Sequence, residues 1–450
     1  MKKLGQILKN KEIMNRIMYT ILILFIFRIG CQITVPGATI NEEQLGQYLN
    51  SNNALSFMNI LGGGTLQTFS IFALGVSPYI TSQIIIQLLA TDVLPALTEL
   101  KRQGQYGRKK MEYATRYLTL LLGAVQAYGI IKTMENSDLV SFATGSTPWL
   151  TYVYVVIVML AGSMLVMWLG DQISVKGIGN GISMVIFAGI VSSLPSQISN
   201  AFVNWVWNTR GISDSAQIKG VIQFIVYMIS FLLIVAFVTF TELSKRKIPV
   251  QHSGKGGQVA SMSKASFLPL KINSAGVIPV IFASSIMMAP TVIAGFFGGN
   301  TTGNWTKIFS ASEMTDMGNG TSFPWGLIIY LTLTIAFTFF YSNLQINPKQ
   351  MAENFQKNGS YIPGIRPGNE TERYVTKVLN RVTCIGALAL AIIAALPSVL
   401  TLTIFKDYPS LALGGTGMII VVGVALELNS QIDGLLAGKS FDEVVAGGGE

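Results

Sequence analysis

Charged and chemically reactive side chains are scarce in this sequence. Only 12% of its 450 residues are charged, and it holds one histidine, His252, and two cysteines, Cys31 and Cys384. His252 lies in a predicted loop with no second ligand or orienting acid at a recognisable spacing, which favours a solvated histidine over a catalytic or metal-binding one. Two cysteines, both in apolar runs, are too few for a disulfide framework. We therefore expect no metal, no cofactor and no enzymatic activity.

Apolar residues are abundant. They make up 50% of the chain, and the mean hydropathy is +0.51, which is typical of polytopic membrane proteins. A helix needs about 20 mostly apolar residues to cross a bilayer. Runs of this kind occur at 17–35, 76–94, 117–131, 152–169, 179–194, 218–240, 274–297, 325–342, 384–404 and 411–428. The sequence thus predicts an all-α polytopic membrane protein with ten transmembrane helices.

Basic residues cluster on one predicted side. They are dense at the N-terminus and after the second, sixth and eighth predicted spans, and none occurs between Arg28 and Lys101. Because cytoplasmic loops are enriched in lysine and arginine, we predict a cytoplasmic N-terminus and, after ten spans, a cytoplasmic C-terminus. The net charge of +9 mostly reflects this bias, and we expect no direct nucleic-acid function.

Segment 57–73 is apolar but too short and too glycine-rich to cross a bilayer, since Gly62, Gly63 and Gly64 lie within it. A non-spanning segment at membrane depth is tolerated only where protein or a water-filled cavity surrounds it. Five spans in each half, 1–215 and 216–450, would give the halves opposite orientations. Folds of that kind have their working site between the halves, near the midplane. Residue-level similarity between the two halves is weak.

Within the predicted spans, Arg28 is the clearest charged residue. An intramembrane charge is by default a functional candidate, but Arg28 could equally extend to the interface as an anchor. Acidic residues lie only at span ends, so an ion- or proton-coupled transporter lacks an obvious coupling site. The pairs Val76/Ile80 and Ile182/Ile186, each one helical turn apart, favour ordinary helix packing, with a hydrophobic constriction as the alternative. Glycines 177, 179 and 181 favour a tightly packed helix start over a nucleotide site.

Five segments carry a family resemblance. In order along the chain, segments 70–89, 170–183, 268–286, 347–368 and 414–427 resemble the SecY family, the bacterial members of which form the pore of the Sec protein translocase. The resemblance implies two inverted five-helix halves around a central pore, closed by an aliphatic ring and a half-helix plug. It also implies a sideways opening that releases apolar segments into lipid.

The resemblance also implies site residues at matching positions. The pore ring is expected at Val76, Ile80, Ile182, Ile186, Ile281 and Ile420. The plug is expected at 57–73, with Phe57, Gly62, Gly63, Gly64, Thr65, Phe69 and Ile71. The lateral gate is expected at Thr81, Ser82, Gln126 and Ser285. Contacts with a motor or a ribosome are expected at Arg366, Lys245, Arg246 and Lys247, in loops 343–377 and 241–272. Because 248–271 is richer in glycine and serine than the family pattern, contacts in that stretch stay open.

The implied function is a channel in the bacterial plasma membrane for unfolded preproteins that carry signal sequences. Since the chain has no nucleotide site, energy would come from a partner, the SecA ATPase or a ribosome, and SecE and SecG are the implied small subunits. The alternative is a secondary transporter with an inverted repeat, which should show an intramembrane acid or a specific substrate pocket. A membrane-embedded enzyme would need paired acids, a metal set or an activated nucleophile.

Overall fold

The computed structural model describes most of the chain. The described residues are 10–41, 44–46, 58–59, 62–91, 94–136, 139–142, 148–208, 214–252, 266–296, 308–309, 315–316, 322–403 and 415–447. Phe57, one of the predicted plug residues, lies outside them.

Helices dominate the described ranges. Their bounds are α1 Lys11–Gly30, α2 Ser77–Leu89, α3 Pro95–Arg102, α4 Gln105–Asn136, α5 Pro148–Lys176, α6 Gly181–Phe202, α7 Asp214–Leu243, α8 Ile278–Phe296, α9 Trp325–Gln345, α10 Pro348–Lys357, α11 Asn369–Thr403 and α12 Gly415–Gly447. A π-helical turn, Val203–Trp207, extends α6.

Every predicted span has a helix at its position, and eight helices in the described part are long and apolar enough to cross a membrane. The prediction of an all-α polytopic membrane protein is confirmed. The helix at the second predicted span, 76–94, is shorter than we expected, because α2 ends at Leu89 after 13 residues. Pro95 opens α3, and a proline disfavours helical backbone at the residue before it.

The outward surfaces of the long helices are apolar. Along α7 the large side chains of Ile222, Ile229 and Leu232 are between 55% and 62% exposed. An apolar surface of this extent is not solvated in a soluble protein, whereas lipid covers it in a membrane protein. The side of α7 that faces the bundle buries Tyr227 and Ile234 instead.

Short strands connect the loops at the two ends of the bundle. Strands β1 Ala38–Ile40 and β2 Val140–Phe142 pair antiparallel, and β5 Thr315–Asp316 pairs with β6 Ser322–Phe323. A three-stranded sheet forms from β3 Lys245–His252, β4 Ser266–Lys271 and β7 Ser360–Tyr361, in the order β4-β3-β7. The sheet corrects our placement of His252 in an irregular loop, since its backbone pairs with Ser360 at the end of β3.

Candidate functional site

All six residues predicted for the ring lie in one apolar cluster. Five of them are buried, with exposed fractions from 2% to 9%, and Ile182 is partly buried against them. Val76 and Ile80 come from the start of α2, Ile182 and Ile186 from α6, Ile281 from α8, and Ile420 from α12. Within this cluster, the six predicted ring residues therefore come from two helices of the first half of the sequence and two of the second.

The start of α6 is fixed by a side-chain cap and by a close contact between two glycines. The Asn180 side-chain oxygen accepts hydrogen bonds from the N–H groups of Ile182 (3.2 Å) and Ser183 (3.4 Å), which caps the helix. A Cβ on Gly181 would lie 1.7 Å from the carbonyl oxygen of Gly170 on α5, so only glycine fits there. The prediction of a tightly packed helix start is confirmed, and it sets the position of Ile182 and Ile186.

The described residues of the predicted plug lie directly before the ring. Residues 58–59 and 62 are helical, and turns continue from there to α2. Gly63 and Gly64 have φ values of +77° and +87°, a left-handed conformation that ends the helical part. The Asn59 side-chain oxygen accepts from the N–H groups of Leu66 (3.1 Å) and Gln67 (3.0 Å) and holds the turn closed.

The second part of this segment, which we call the stem (residues 66–75), is held by the first-half helices. The Ile71 N–H donates to the Ile33 carbonyl (2.9 Å), and Ser163 on α5 donates to the Gly75 carbonyl (2.9 Å). Leu66 and Phe69 are fully buried in a second apolar cluster with residues of α4 and α5. At the end of the stem, Phe72 belongs to the ring cluster and stacks on Phe27 of α1.

The first part, which we call the tip (residues 58–59 and 62–65), contacts α1 and α6. Arg28 on α1 donates through Nη1 to the Gly63 carbonyl oxygen at 2.6 Å. A Cβ on Gly63 would lie 2.7 Å from the Cα of Gly189 on α6. Gly62, Gly63 and Thr65 are buried, whereas Gly64 and Ile71 are partly buried. Arg28 thus turns inward to the tip. The sequence alone did not decide between such a functional role and an anchoring role at the membrane interface.

The predicted gate residues lie on three helices that touch each other, α2, α4 and α8. Three hydroxyls there donate to carbonyls one turn earlier in their own helices: Thr81 to Ser77 (3.1 Å), Ser82 to Pro78 (2.7 Å) and Ser285 to Ile281 (2.8 Å). These hydroxyls therefore do not bind α2 to α8. Separation of the two helices would not break a hydrogen bond from any of the three.

Two amide side chains on the helices of this junction have a buried oxygen without a partner among the described residues. They are Gln126 on α4, a predicted gate residue, and Gln87 on α2, which the sequence did not single out. The signal in the sequence that could have indicated Gln87 is a polar residue inside the apolar run 76–94. A buried amide oxygen without a hydrogen bond is costly, so both side chains would gain from a polar group that enters the junction.

The predicted basic contact residues are exposed on the sheet and on the turn that follows it. Lys245, Arg246 and Lys247 lie on the part of β3 that pairs with β4, whereas β7 pairs with the other end of β3. Arg366 lies beyond β7 in a turn between Gly364 (φ +82°) and Gly368 (φ +102°), and its carbonyl accepts from the Thr371 hydroxyl (2.9 Å). The β3–β7 pairing joins the two loops that we treated separately.

Comparisons with known proteins agree with this geometry. The SecY family model matches residues 70–429. The protein translocase subunit SecY of Bacillus subtilis is 40% identical, with 98% of each chain covered. That of Mycoplasma capricolum is 41% identical and covers 97% of this chain and 89% of its own.

Solved structures show the same fold. A protein-conducting channel aligns over 94% of this chain and 93% of its own, with a TM-score of 0.64 and 20% identity. Canine Sec61, in a ribosome-channel complex from the endoplasmic reticulum, aligns over 94% and 93% with a TM-score of 0.61 and 19% identity.

Proposed function

This chain belongs to the SecY family of protein translocation channels, and we propose that its apolar ring closes the path along which unfolded, signal-bearing proteins cross the bacterial plasma membrane. The observation that carries the proposal is that the six expected ring residues, from α2, α6, α8 and α12, all belong to one apolar cluster. Four of them come from the half 1–215 and two from the half 216–450, which supports a ring between the halves. That is the expected place for a working site in a fold of two inverted halves.

The aliphatic side chains of the ring would close the pore to water and ions. Aliphatic side chains offer no hydrogen bond to water or ions, so a narrow apolar constriction stays dry and resists leakage. Isoleucine and valine side chains carry no polar group that would bind a passing polypeptide by its sequence. A ring of this kind conducts extended chains of many sequences and closes again behind them.

The gate is proposed at the junction of α2, α4 and α8. Because Thr81, Ser82 and Ser285 bond within their own helices, the junction can open without the loss of those bonds. The unpartnered oxygens of Gln87 and Gln126 make the closed junction less stable than a fully apolar one. An apolar signal segment that enters the junction gains by leaving water for lipid.

The tip and stem are proposed as the plug. A solved relative, 19% identical, is described as a SecY whose plug domain stabilises the closed state and maintains a membrane seal. In this chain the segment precedes the ring and contributes Phe72 to the same cluster, a position from which it would complete the seal.

The exposed basic residues of β3 and the turn that holds Arg366 are proposed as the docking site for the energy source. Structures of a canine and a yeast relative contain a ribosome. The planar guanidinium of Arg366 suits bidentate contacts with carboxylates or phosphates, and its turn presents it away from the bundle. We propose the SecA ATPase and the ribosome as partners here, with SecE and SecG as small subunits and both termini in the cytoplasm.

Photocrosslinking tests the path. A photoreactive residue at 186 or 281 is expected to crosslink a signal-bearing polypeptide stalled in transit. The matched control is position 234 on α7, an isoleucine that is equally buried but lies in a different cluster. Crosslinks that are as strong from 234, or absent from both ring positions, would refute the proposed path.

A further inference from the structure

The tip and the stem are attached very differently. The stem is fixed by backbone hydrogen bonds, by the Ser163 hydroxyl and by fully buried side chains. At its inner face, the tip is held by the Arg28 hydrogen bond and by the Gly63–Gly189 contact. Met58 of the tip also packs into the cluster with α4 and α5, and Gly64 and Thr65 accept hydrogen bonds from the stem. The Arg28 hydrogen bond adds a polar contact that ties the tip to α1.

Arg28 is unusual among the charges of the described residues. Arg16, Arg116 and Lys132 form ion pairs with the carboxylates of Glu12, Asp171 and Glu135. Arg28 lies in the last turn of an apolar helix, is only partly exposed, and donates a hydrogen bond to a backbone carbonyl of another segment. A guanidinium at membrane depth needs an acceptor, and Gly63 supplies one only while the tip is in place.

The position of the acceptor, the Gly63 carbonyl, is also restricted by the structure. Gly63 has a positive φ and no room for a Cβ, so the sequence keeps glycine at the one position whose carbonyl faces Arg28. Arg28 Nη1 lies 3.5 Å from where that Cβ would be. The same glycine thus carries the hydrogen bond to α1 and the close contact with α6.

We propose that Arg28 is a latch that holds the plug tip in its closed position through the Gly63 carbonyl. This inference rests on the proposed function of segment 57–73 as a plug. It assigns to Arg28 a positioning role in gating.

Thiol labelling measures the position of the tip. Thr65 is fully buried in the tip, and its hydroxyl has no partner among the described residues, so Thr65→Cys should be well tolerated. In a Cys384→Ala background, a membrane-impermeant maleimide labels position 65 only when the tip has moved. The same chain without Thr65→Cys reports any labelling of the buried Cys31.

Arg28→Met is expected to raise the labelling rate of Cys at position 65 by about tenfold, since a hydrogen bond to a charged group is lost. Arg16→Met, on the same helix but paired with the exposed Glu12, is the control and should leave the rate unchanged. Labelling of the Arg28→Met chain at the parental rate would refute the latch.

A double-mutant cycle separates a latch from a general loss of packing. If Arg28 acts through Gly63, Arg28→Met combined with Gly63→Ala should label no faster than the faster single variant. Multiplied rates would show that the two act independently and would overturn the proposal. Should Arg28→Met fail to accumulate in the membrane, Arg28→Lys takes its place in the cycle. Labelling requires no transported protein, so its outcome is independent of whether the chain conducts polypeptides.

Discussion

Gly63 and Gly189 approach so closely that a Cβ on Gly63 would lie 2.7 Å from the Gly189 Cα. Gly64, the next residue, has a similar positive φ but open space around its Cβ position. The two glycines share a backbone requirement and differ in one contact, which makes them a matched pair.

Gly63→Ala should therefore displace the tip, whereas Gly64→Ala should cost only the strain of a left-handed alanine, about 1 kcal/mol. We expect the ion conductance of resting vesicles to rise strongly for Gly63→Ala and little for Gly64→Ala. Equal conductance for both variants would show that the Gly63–Gly189 contact does not seal the channel.

Removal of aliphatic volume from the ring should cause a leak. Ile186→Ala and Ile190→Ala change the same residue type one turn apart on α6, with similar burial and in the same cluster. Each should destabilise the fold by about 2–5 kcal/mol. Only Ile186→Ala is expected to raise the resting conductance, since Ile190 is outside the ring. A leak of equal size from Ile190→Ala would show that Ile186 has no sealing role beyond that of an ordinary packing residue.

A covalent link across the gate should block it. Ser82 and Ser285, replaced by cysteine and joined by a bifunctional thiol reagent, would tie α2 to α8. We expect translocation to stop while the link is present and to recover with a cleavable reagent after reduction. Continued export by the linked chain would mean that the gate lies elsewhere.

Charge reversal at the basic turn should uncouple the channel from its motor. Arg366→Glu is expected to abolish ATP-driven export with normal amounts of protein in the membrane, because a guanidinium contact becomes a repulsive carboxylate. Arg373→Glu makes the same change at another exposed arginine nearby, at the start of α11, and should have a much smaller effect. Equal losses would indicate a general charge effect rather than a specific contact.

Much of this architecture could be predicted from the sequence. Apolar runs located the long helices, but the pairs Val76/Ile80 and Ile182/Ile186 taken alone favoured ordinary helix packing. That these pairs share a cluster with Ile281 and Ile420 depends on tertiary packing, which the spacing of residues on a single helix does not contain. The family resemblance supplied all six ring positions.

Other features were missed for identifiable reasons. Strand β3 has a period-two pattern in which Ile248 and Val250 are buried and Lys247 is exposed, but polar residues on both sides obscured it. The partner of Arg28 is a backbone carbonyl 35 residues away, and residue identity does not reveal such an acceptor. The length of α2 was overestimated because apolar residues continue beyond its end at Leu89.

The most direct test of the central claim is import of a signal-bearing precursor into vesicles that contain this chain with SecE, in the presence of SecA and ATP. The account predicts that the precursor becomes protected from added protease, and that protection disappears without the signal, without SecA or without ATP. Absence of protection, together with uptake of a small solute by the same vesicles, would contradict it and favour a transporter.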